Sequence, residues 1–410
     1  MRGRTGLLAF LVSVIILSLG NPASAQVGAT AAQLNGTIHD ESGAAVAKAT
    51  VTVRDTETNR SYTTTSNDSG LYVLPNLPPG QYELKASFTG FSNYTRTGIV
   101  LTVGQSATID VVLKVASLGE QVTVTGEAQT IEPTRTEVSQ VIDTKAIASL
   151  PISGRLFTDF ALLTPGVATG RTSLQSTITE FEVTRVSFAG MRDLSNEITV
   201  DGADNVNTAT GSQRAAPSQE AVSEFRVVNN SFGAEYGRAL GGIVNIVTKS
   251  GTNDYHGSIY DYLQNNATDA RSLLQPSPQA YVLRQNQFGG TFGGPIKKDK
   301  TFFFMNYEGQ RRGESPTYPE TLLGDLNLIN AAKVAMGIAP ENLNLLKTKD
   351  NDNGIVKVDQ QFGAKHRLSL RYNIEDGRDL NQLVGSTLDG GGIGAPSSGH
   401  DVFLRDQALV

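Results

Sequence analysis

The fold is decided by two neighbouring stretches, NQFGGTFGGP (residues 286–295) and KTFFFMNYE (residues 300–308), with a basic turn at residues 297–300. Side chains alternate along a strand, so the second stretch has an apolar face and a face that becomes polar. The first face holds Phe303, Met305 and Tyr307, and the second holds Phe302, Phe304, Asn306 and Glu308. Such a hairpin suits the wall of a membrane barrel, because backbone groups in a bilayer are satisfied only in helices and closed barrels. A hairpin of a soluble β-sandwich shows the same pattern.

The start of the chain predicts export. Arg2 and Arg4 precede an apolar run at residues 7–19, and the small residues 23–25 follow. This is the order of a signal peptide covering residues 1–25, with cleavage between Ala25 and Gln26. The apolar run is short for a membrane anchor, which needs about 20 apolar residues.

Composition narrows the fold class and the possible partners. The chain has 42 Gly, 16 Phe and 12 Tyr but only 18% charged residues, which favours strands and turns over helices. Its net charge is −6, and loss of Arg2 and Arg4 with the leader makes it more acidic, so nucleic acid is excluded as a partner. Because the chain has no Cys, neither disulfides nor thiolate metal ligands are expected.

Residues 33–115 are predicted to form an Ig-like β-sandwich, because short β-prone runs alternate with turn signals rich in Gly, Pro, Asn and Asp. The predicted strands are residues 34–39, 50–55, 61–65, 71–74, 82–88 and 107–113. The phrases GTI (36–38), AKATVTV (47–53), DSGLY (68–72) and PGQY (79–82) resemble those of a carboxypeptidase-regulatory-like domain, which implies an accessory fold without peptidase activity.

The middle of the chain carries a series of phrases in a fixed order, after a short predicted helix at residues 143–150 that stops before Pro151. They are LPISGR (150–155), LTPGV (163–167), FAGMR (188–192), NEITVDG (196–202), FGAEYGR (232–238) and GGIVNIVTKSGTN (241–253). This order resembles the plug domain of TonB-dependent receptors, in the subgroup with a carboxypeptidase-regulatory-like domain ahead of the plug.

Further along, one strand alternates without error from residue 367 to residue 375. Its apolar face holds Leu368, Leu370, Tyr372 and Ile374, and its polar face holds Arg367, Ser369, Arg371, Asn373 and Glu375. A barrel strand between lipid and a water-filled lumen shows this alternation of apolar and polar side chains, although a strand of a soluble sandwich would show it too.

The resemblance implies a mainly β chain: the Ig-like sandwich (33–115), a linker (116–130), an α+β plug domain (131–253), and the first strands of an incomplete transmembrane β-barrel (254–410). Within the linker it implies a TonB-box-like segment, which would pair with TonB by strand addition. This segment comprises Glu120, Gln121, Val122, Thr123, Val124 and Thr125. Plugged transporters have about 22 strands, so too few residues follow Asn253, and the chain is expected to be the N-terminal part of a receptor that would not transport alone.

The resemblance therefore implies a TonB-dependent receptor of the outer membrane, which imports a scarce or bulky ligand such as an oligosaccharide or a siderophore. The alternative is an exported β-sandwich protein for binding or adhesion without transport activity. No enzyme or cofactor is expected, because the sequence contains neither G-x-x-x-x-G-K-S/T nor G-x-S-x-G. No metal is expected, because the four histidines lack a second ligand at metal spacing. Lys349–Gly354 resembles a calcium loop but lacks its Asp and closing Glu, so a polar turn is expected there. Asp201 and Asp204 are interpreted as turn residues around Gly202.

Overall fold

The fold is taken from a computed structural model of the 410-residue chain. It describes residues 30–116, 122–125, 137–150, 155, 157–169, 186–192, 195–206, 213–214, 216–229, 232–233, 236–237, 239–270, 282–315, 320–340, 346–363, 366–380 and 401–409. Among these residues, no helix combines the length and apolar character needed to cross a membrane. The mainly β class predicted from the sequence is confirmed, with a sandwich, an α+β plug and wall strands following one another along the chain.

The first part is a sandwich of two sheets, which we call the front domain. Its strands are β1 (Ala32–Asp40), β2 (Thr50–Asp55), β3 (Ser61–Thr65), β4 (Leu71–Leu77), β5 (Gly80–Ser87), β6 (Tyr94–Leu101), β7 (Ser106–Thr108) and β8 (Val111–Leu113). One sheet has the order β4–β1–β7, and β8 also pairs with β1. The other has the order β3–β2–β5–β6 and ends on a strand from the linker, β9 (Val122–Thr125).

The front domain buries its own core, because every second residue of its strands points between the two sheets. Tyr72 crosses this core, and its hydroxyl donates to the Ile109 carbonyl at 2.7 Å. Gly36 lies so close to the same carbonyl that a Cβ there would sit 1.8 Å from the oxygen. The largest fully buried side chains of this core are Tyr72, Tyr82, Leu34, Ile38, Leu77, Leu84, Leu101 and, at 2% exposure, Ile109.

The plug is built on a five-stranded sheet, the plug sheet, with a separate two-stranded ribbon. Its strands are β10 (Ser139–Ile142), β11 (Val167–Thr169), β12 (Val186–Phe188), β13 (Glu197–Val200), β14 (Ala203–Asp204), β15 (Val222–Asn229) and β16 (Gly242–Thr248). The sheet order is β10–β15–β16–β13–β14, and β11 pairs with β12. Helix α1 (Thr144–Ser149) confirms the predicted short helix, and the Asp143 carboxylate caps it by accepting the Ala146 N–H at 2.8 Å.

The last part is a six-stranded antiparallel sheet, the wall, in which each strand pairs with the next along the chain. Its strands are β17 (His256–Asn265), β18 (Leu283–Lys297), β19 (Thr301–Glu314), β20 (Lys347–Phe362), β21 (His366–Leu380) and β22 (Asp401–Leu409), with helix α2 (Glu320–Ala335) between β19 and β20. The connections after β18 and β20 are short and lie at one end. Strands β17, β19 and β21 end at the opposite edge of the wall and are followed by long connections. Short and long connections alternate in the same way between the periplasmic turns and extracellular loops of outer-membrane barrels.

The two faces of the wall differ as the sequence predicts. The plug-facing side chains are buried, namely Phe304, Asn306, Glu308, Lys357, Arg371, Asn373 and Glu375. The opposite face is apolar and open, with Met305, Tyr307, Val356, Leu370, Tyr372 and Ile374 all at least 40% exposed. Apolar-out and polar-in alternation over strands of 14 to 16 residues is long enough to cross a bilayer, which needs about 9–11 residues.

The sequence analysis missed one strand, and two of its predictions need correction. Strand β6 was not predicted, because its polar start and Gly98 at φ +75° interrupt the apolar pattern. The predicted strand 107–113 is two strands, β7 and β8, which pair with successive parts of β1. The polar turn expected at Lys349–Gly354 is instead the start of β20, because these residues pair with β19 on one side and β21 on the other.

Candidate functional site

Asp201 occupies the turn that joins β13 to β14, at the edge of the plug sheet. Its φ of +50°, followed by +84° at Gly202, confirms the turn interpretation. The turn aims the carboxylate at the end of β16, which lies beside β13 in parallel register. There the Thr248 backbone N–H donates to Oδ1 at 2.9 Å, and the Thr248 hydroxyl donates to Oδ2 at 2.6 Å.

Two cations from the wall reach the same carboxylate. The Arg371 guanidinium on β21 donates from Nη1 to Oδ2 of Asp201 at 2.9 Å. Lys357 on β20 places Nζ 3.5 Å from Oδ1 and donates to the Thr248 hydroxyl oxygen at 3.1 Å. Lys357 and Arg371 face each other in the β20–β21 register, so they approach Asp201 as a pair. We call Asp201, Thr248, Lys357 and Arg371 the charged lock.

The charged lock is buried, since the exposed fraction is 4% for Lys357 and 2% for Arg371. Burial by itself raises the pKa of Asp201, but the charges of Lys357 and Arg371 and the Thr248 hydrogen bonds outweigh it and hold the pKa below its usual range. The carboxylate therefore stays ionised at neutral pH. Buried charges of opposite sign hold one another in place, because separating them leaves each unpaired in a medium of low polarity.

Other contacts hold the plug against the wall nearer the long loops. The Ser218 hydroxyl donates to the Asn306 amide oxygen at 2.8 Å, where Ser218 and Asn306 are both buried. Arg155 pairs with Glu220 at 3.0 Å and lies 3.5 Å from the centre of the Tyr262 ring. A small apolar cluster completes the contact and comprises Ala221, Phe304 and Ile355. The plug therefore contacts four of the six described wall strands, β17, β19, β20 and β21.

The front domain contacts the plug at β15. The Val103 N–H, two residues beyond β6, donates to Oε1 of Glu224 at 2.6 Å. Arg226, on the same strand, donates to the carbonyls of Val103 and Gly104, and it also pairs with Glu137. Burial raises the pKa of Glu224 to about 7, with the charge of Asp143 adding to it, against the Val103 hydrogen bond and Arg226. Glu224 is thus a buried carboxyl that titrates near neutral pH at a domain contact.

The front domain also contacts the short-turn end of the wall. Asp299, in the turn between β18 and β19, accepts the Asn59 side-chain amide at 2.9 Å and the Asn253 amide at 2.8 Å. The Asn253 N–H in turn donates to the Glu57 carbonyl at 3.0 Å. The front domain therefore lies at the end of the wall where outer-membrane barrels have their periplasmic turns.

Only part of the predicted site falls within the described residues. Val122, Thr123, Val124 and Thr125 form β9, an extended segment as the TonB-box interpretation requires, and β9 pairs in parallel with β6. Glu120 and Gln121 lie outside the described residues, as do Ala25 and Gln26 of the predicted cleavage site. The sequence reasoning missed the role of Asp201 in the charged lock. Across the described part of the chain, no group of three His, Asp or Glu side chains is arranged to hold a metal ion.

Two family models match separate parts of the chain. Residues 33–114 match the carboxypeptidase regulatory-like domain, and residues 247–327 match an outer membrane beta barrel domain. A curated relative, the TonB-dependent transporter Oar of Myxococcus xanthus, is 28% identical over 287 residues, which is 66% of this chain and 26% of Oar. The chain thus spans about a quarter of that relative's length.

Solved structures give more distant likenesses. The siderophore receptor PirA of Acinetobacter baumannii is 16% identical with a TM-score of 0.38, over 66% of this chain and 44% of PirA. The outer membrane transporter YddB of Escherichia coli is 14% identical with a TM-score of 0.42, over 59% of this chain and 33% of YddB. The two family matches and the Oar relative confirm the resemblance to TonB-dependent receptors with a carboxypeptidase-regulatory-like domain, and they confirm the outer membrane as the location.

Proposed function

We propose that this chain serves TonB-dependent import across the outer membrane. In this proposal the wall belongs to a barrel, the plug closes its lumen, and TonB pulls on the segment Glu120–Thr125 to loosen the plug. The cargo would be a scarce or bulky ligand, such as an oligosaccharide or a siderophore, because such ligands require energised import. The chain itself would act as a receptor and not as an enzyme.

The charged lock is the observation that supports this proposal best. A plug that only needed to stay in place could rest on apolar packing. Here, a plug carboxylate meets two wall cations and a plug hydroxyl in a buried site. Such a contact is stable while its charged and hydrogen-bonding groups are aligned. It is lost after a small displacement, because hydrogen bonds and buried ion pairs depend steeply on geometry. These are the properties that a gate opened by force requires.

Binding to TonB tests the proposal directly. The full chain in outer-membrane vesicles is titrated with the purified periplasmic domain of TonB from the same bacterium. Val124→Pro should weaken binding at least tenfold, because proline removes a backbone N–H and restricts the preceding residue. The matched control Val124→Ala keeps the N–H and should bind within about threefold of the unchanged chain, since backbone groups carry strand addition.

The alternative is an exported binding or adhesion protein, and its expected result is different. Such a protein has no use for an energising partner, so the unchanged chain would not bind the TonB domain at all. Equal binding by the Val124→Pro and Val124→Ala variants would refute the assignment of the TonB box. The charged lock favours import over adhesion, because an adhesive sandwich needs no buried ionic contact between a plug and a strand wall.

A further inference from the structure

Strand β9 is held by the front domain before any partner is present. Its four residues pair in parallel with the first half of β6, with Tyr94 opposite Val122, Thr95 opposite Thr123, Arg96 opposite Val124 and Thr97 opposite Thr125. The sequence predicts an extended, accessible linker segment. The structure instead makes this segment the fifth strand of a front-domain sheet.

The position of β9 in that sheet leaves one side open. The sheet order is β3–β2–β5–β6–β9, so β9 is an edge strand, and no other described strand pairs with its outer side. The backbone N–H and C=O groups of a strand point alternately to its two sides, so pairing with β6 uses only half of them. Among the described residues, no strand uses the other half.

We propose that the front domain presents the TonB-box segment as a preformed edge, and that an extended strand of TonB adds to the outer side of β9. This rests on the proposed function and adds a role for the front domain within it. The product is a continuous six-stranded sheet in which β9 lies between β6 and the partner strand. The front domain then belongs to the binding site, and β9 does not leave β6 when TonB binds.

The physical advantage of presentation is the lower ordering cost. A free linker must lose backbone freedom when it joins a partner strand. A strand already aligned on β6 has met this cost before the partner arrives. The competing route is displacement, in which the TonB strand breaks the pairing between β6 and β9 and pairs with β9 in place of β6. Displacement breaks the existing pairing and orders no segment in advance.

A disulfide between two introduced cysteines distinguishes presentation from displacement. Because the chain has no native Cys, only the introduced pair can form that disulfide. Thr97→Cys with Thr125→Cys joins register partners in adjacent strands, which lie about 4.8 Å apart. Thr97→Cys with Thr123→Cys is the matched control, because a shift of two residues along the strand raises the separation to about 8 Å, beyond disulfide reach. In the full chain, the first pair should oxidise at least tenfold faster than the second. Equal rates would overturn the pairing and the proposal with it.

The oxidised Thr97–Thr125 variant is then titrated with the periplasmic domain of TonB, before and after reduction. Presentation predicts that the oxidised and reduced forms bind the TonB domain with affinities within about threefold of each other, because the disulfide only fixes a β6–β9 pairing that persists in the complex. A loss of tenfold or more on oxidation, restored by reduction, would establish displacement and overturn presentation. If the reduced protein also fails to bind, the TonB proposal itself is wrong. That outcome would remove presentation too, whereas the oxidation rates would still report whether β9 lies on β6.

Discussion

The charged lock gives the sharpest prediction, because Asp201→Asn changes one charge and almost no volume. The substitution takes the anion away from Arg371, which contacts it at 2.9 Å, and from Lys357 at 3.5 Å. Both cations are less than 5% exposed, so they would remain buried without the anion they face. Removing one partner of a buried ion pair costs about 3–5 kcal/mol.

The lower end of that range applies to Asp201→Asn, because an amide oxygen can still accept the Thr248 N–H. About 3 kcal/mol corresponds to a population of the opened plug raised roughly 100-fold. The assay is hydrogen exchange of the Thr248 amide, whose N–H donates to the Asp201 carboxylate at 2.9 Å in the closed lock. Its protection should fall by about that factor in full-chain protein held in detergent or lipid.

Asp204→Asn is the matched control, since it makes the same change two residues beyond Gly202. The Asp204 carboxylate accepts the Val206 N–H within its own turn. Its substitution should lower protection at Thr248 less than about fivefold, because Asp204 is not a member of the charged lock. Adding Lys357→Met to Asp201→Asn should restore part of the loss by removing one unpaired cation. Equal effects of Asp201→Asn and Asp204→Asn would refute the ionic account of the lock.

Two further predictions concern the neighbouring contacts. Because the folded pKa of Glu224 lies near 7, above that of an exposed Glu, its contribution to docking of the front domain is full below about pH 4.5 and is lost as pH rises through 7. This pH-dependent contribution of Glu224 is at most roughly 3 kcal/mol. It is measured as the hydrogen-exchange protection of front-domain amides between pH 5 and 8, and Glu224→Gln should remove the dependence of that protection on pH. Gly251→Ala should lower the melting temperature of the full chain, because a Cβ there would meet the Phe303 carbonyl at 2.3 Å, whereas Gly237→Ala has open space and should not.

Local pattern was enough to predict the faces of the wall. Arg371 and Asn373 were assigned to the polar face because alternation is a property of neighbouring residues in one strand, and the structure buries both against the plug. The same reasoning could not pair Arg371 with Asp201, which lies 170 residues earlier. An Asp-Gly sequence is a common turn signal, so nothing local marked this carboxylate as different from Asp204.

Long-range pairing also overrode local signals. Residues 349–354 are rich in Asn, Asp and Gly, which favour a turn, yet they lie in β20 between two long neighbours. The Arg311 guanidinium donates to both oxygens of Asp352 across this strand pair, at 2.9 and 3.0 Å. Strand β9 is the converse case: its extended form was predicted, but its partner β6 was not, because parallel pairing joins segments without a turn signal between them.

The contacts described above form an unbroken series from β9 to the charged lock. Strand β9 lies on β6, and Val103, just beyond β6, contacts Glu224 on β15. Glu224 is opposite Val247 in the β15–β16 pair, next to Thr248 in the lock. Contiguity alone does not establish coupling between sites. A double-mutant cycle of Glu224→Gln and Asp201→Asn measures the coupling free energy between the two positions. If force on β9 reaches the lock through this series, the two substitutions are non-additive in Thr248 protection. Additivity would mean that the front domain and the lock respond independently.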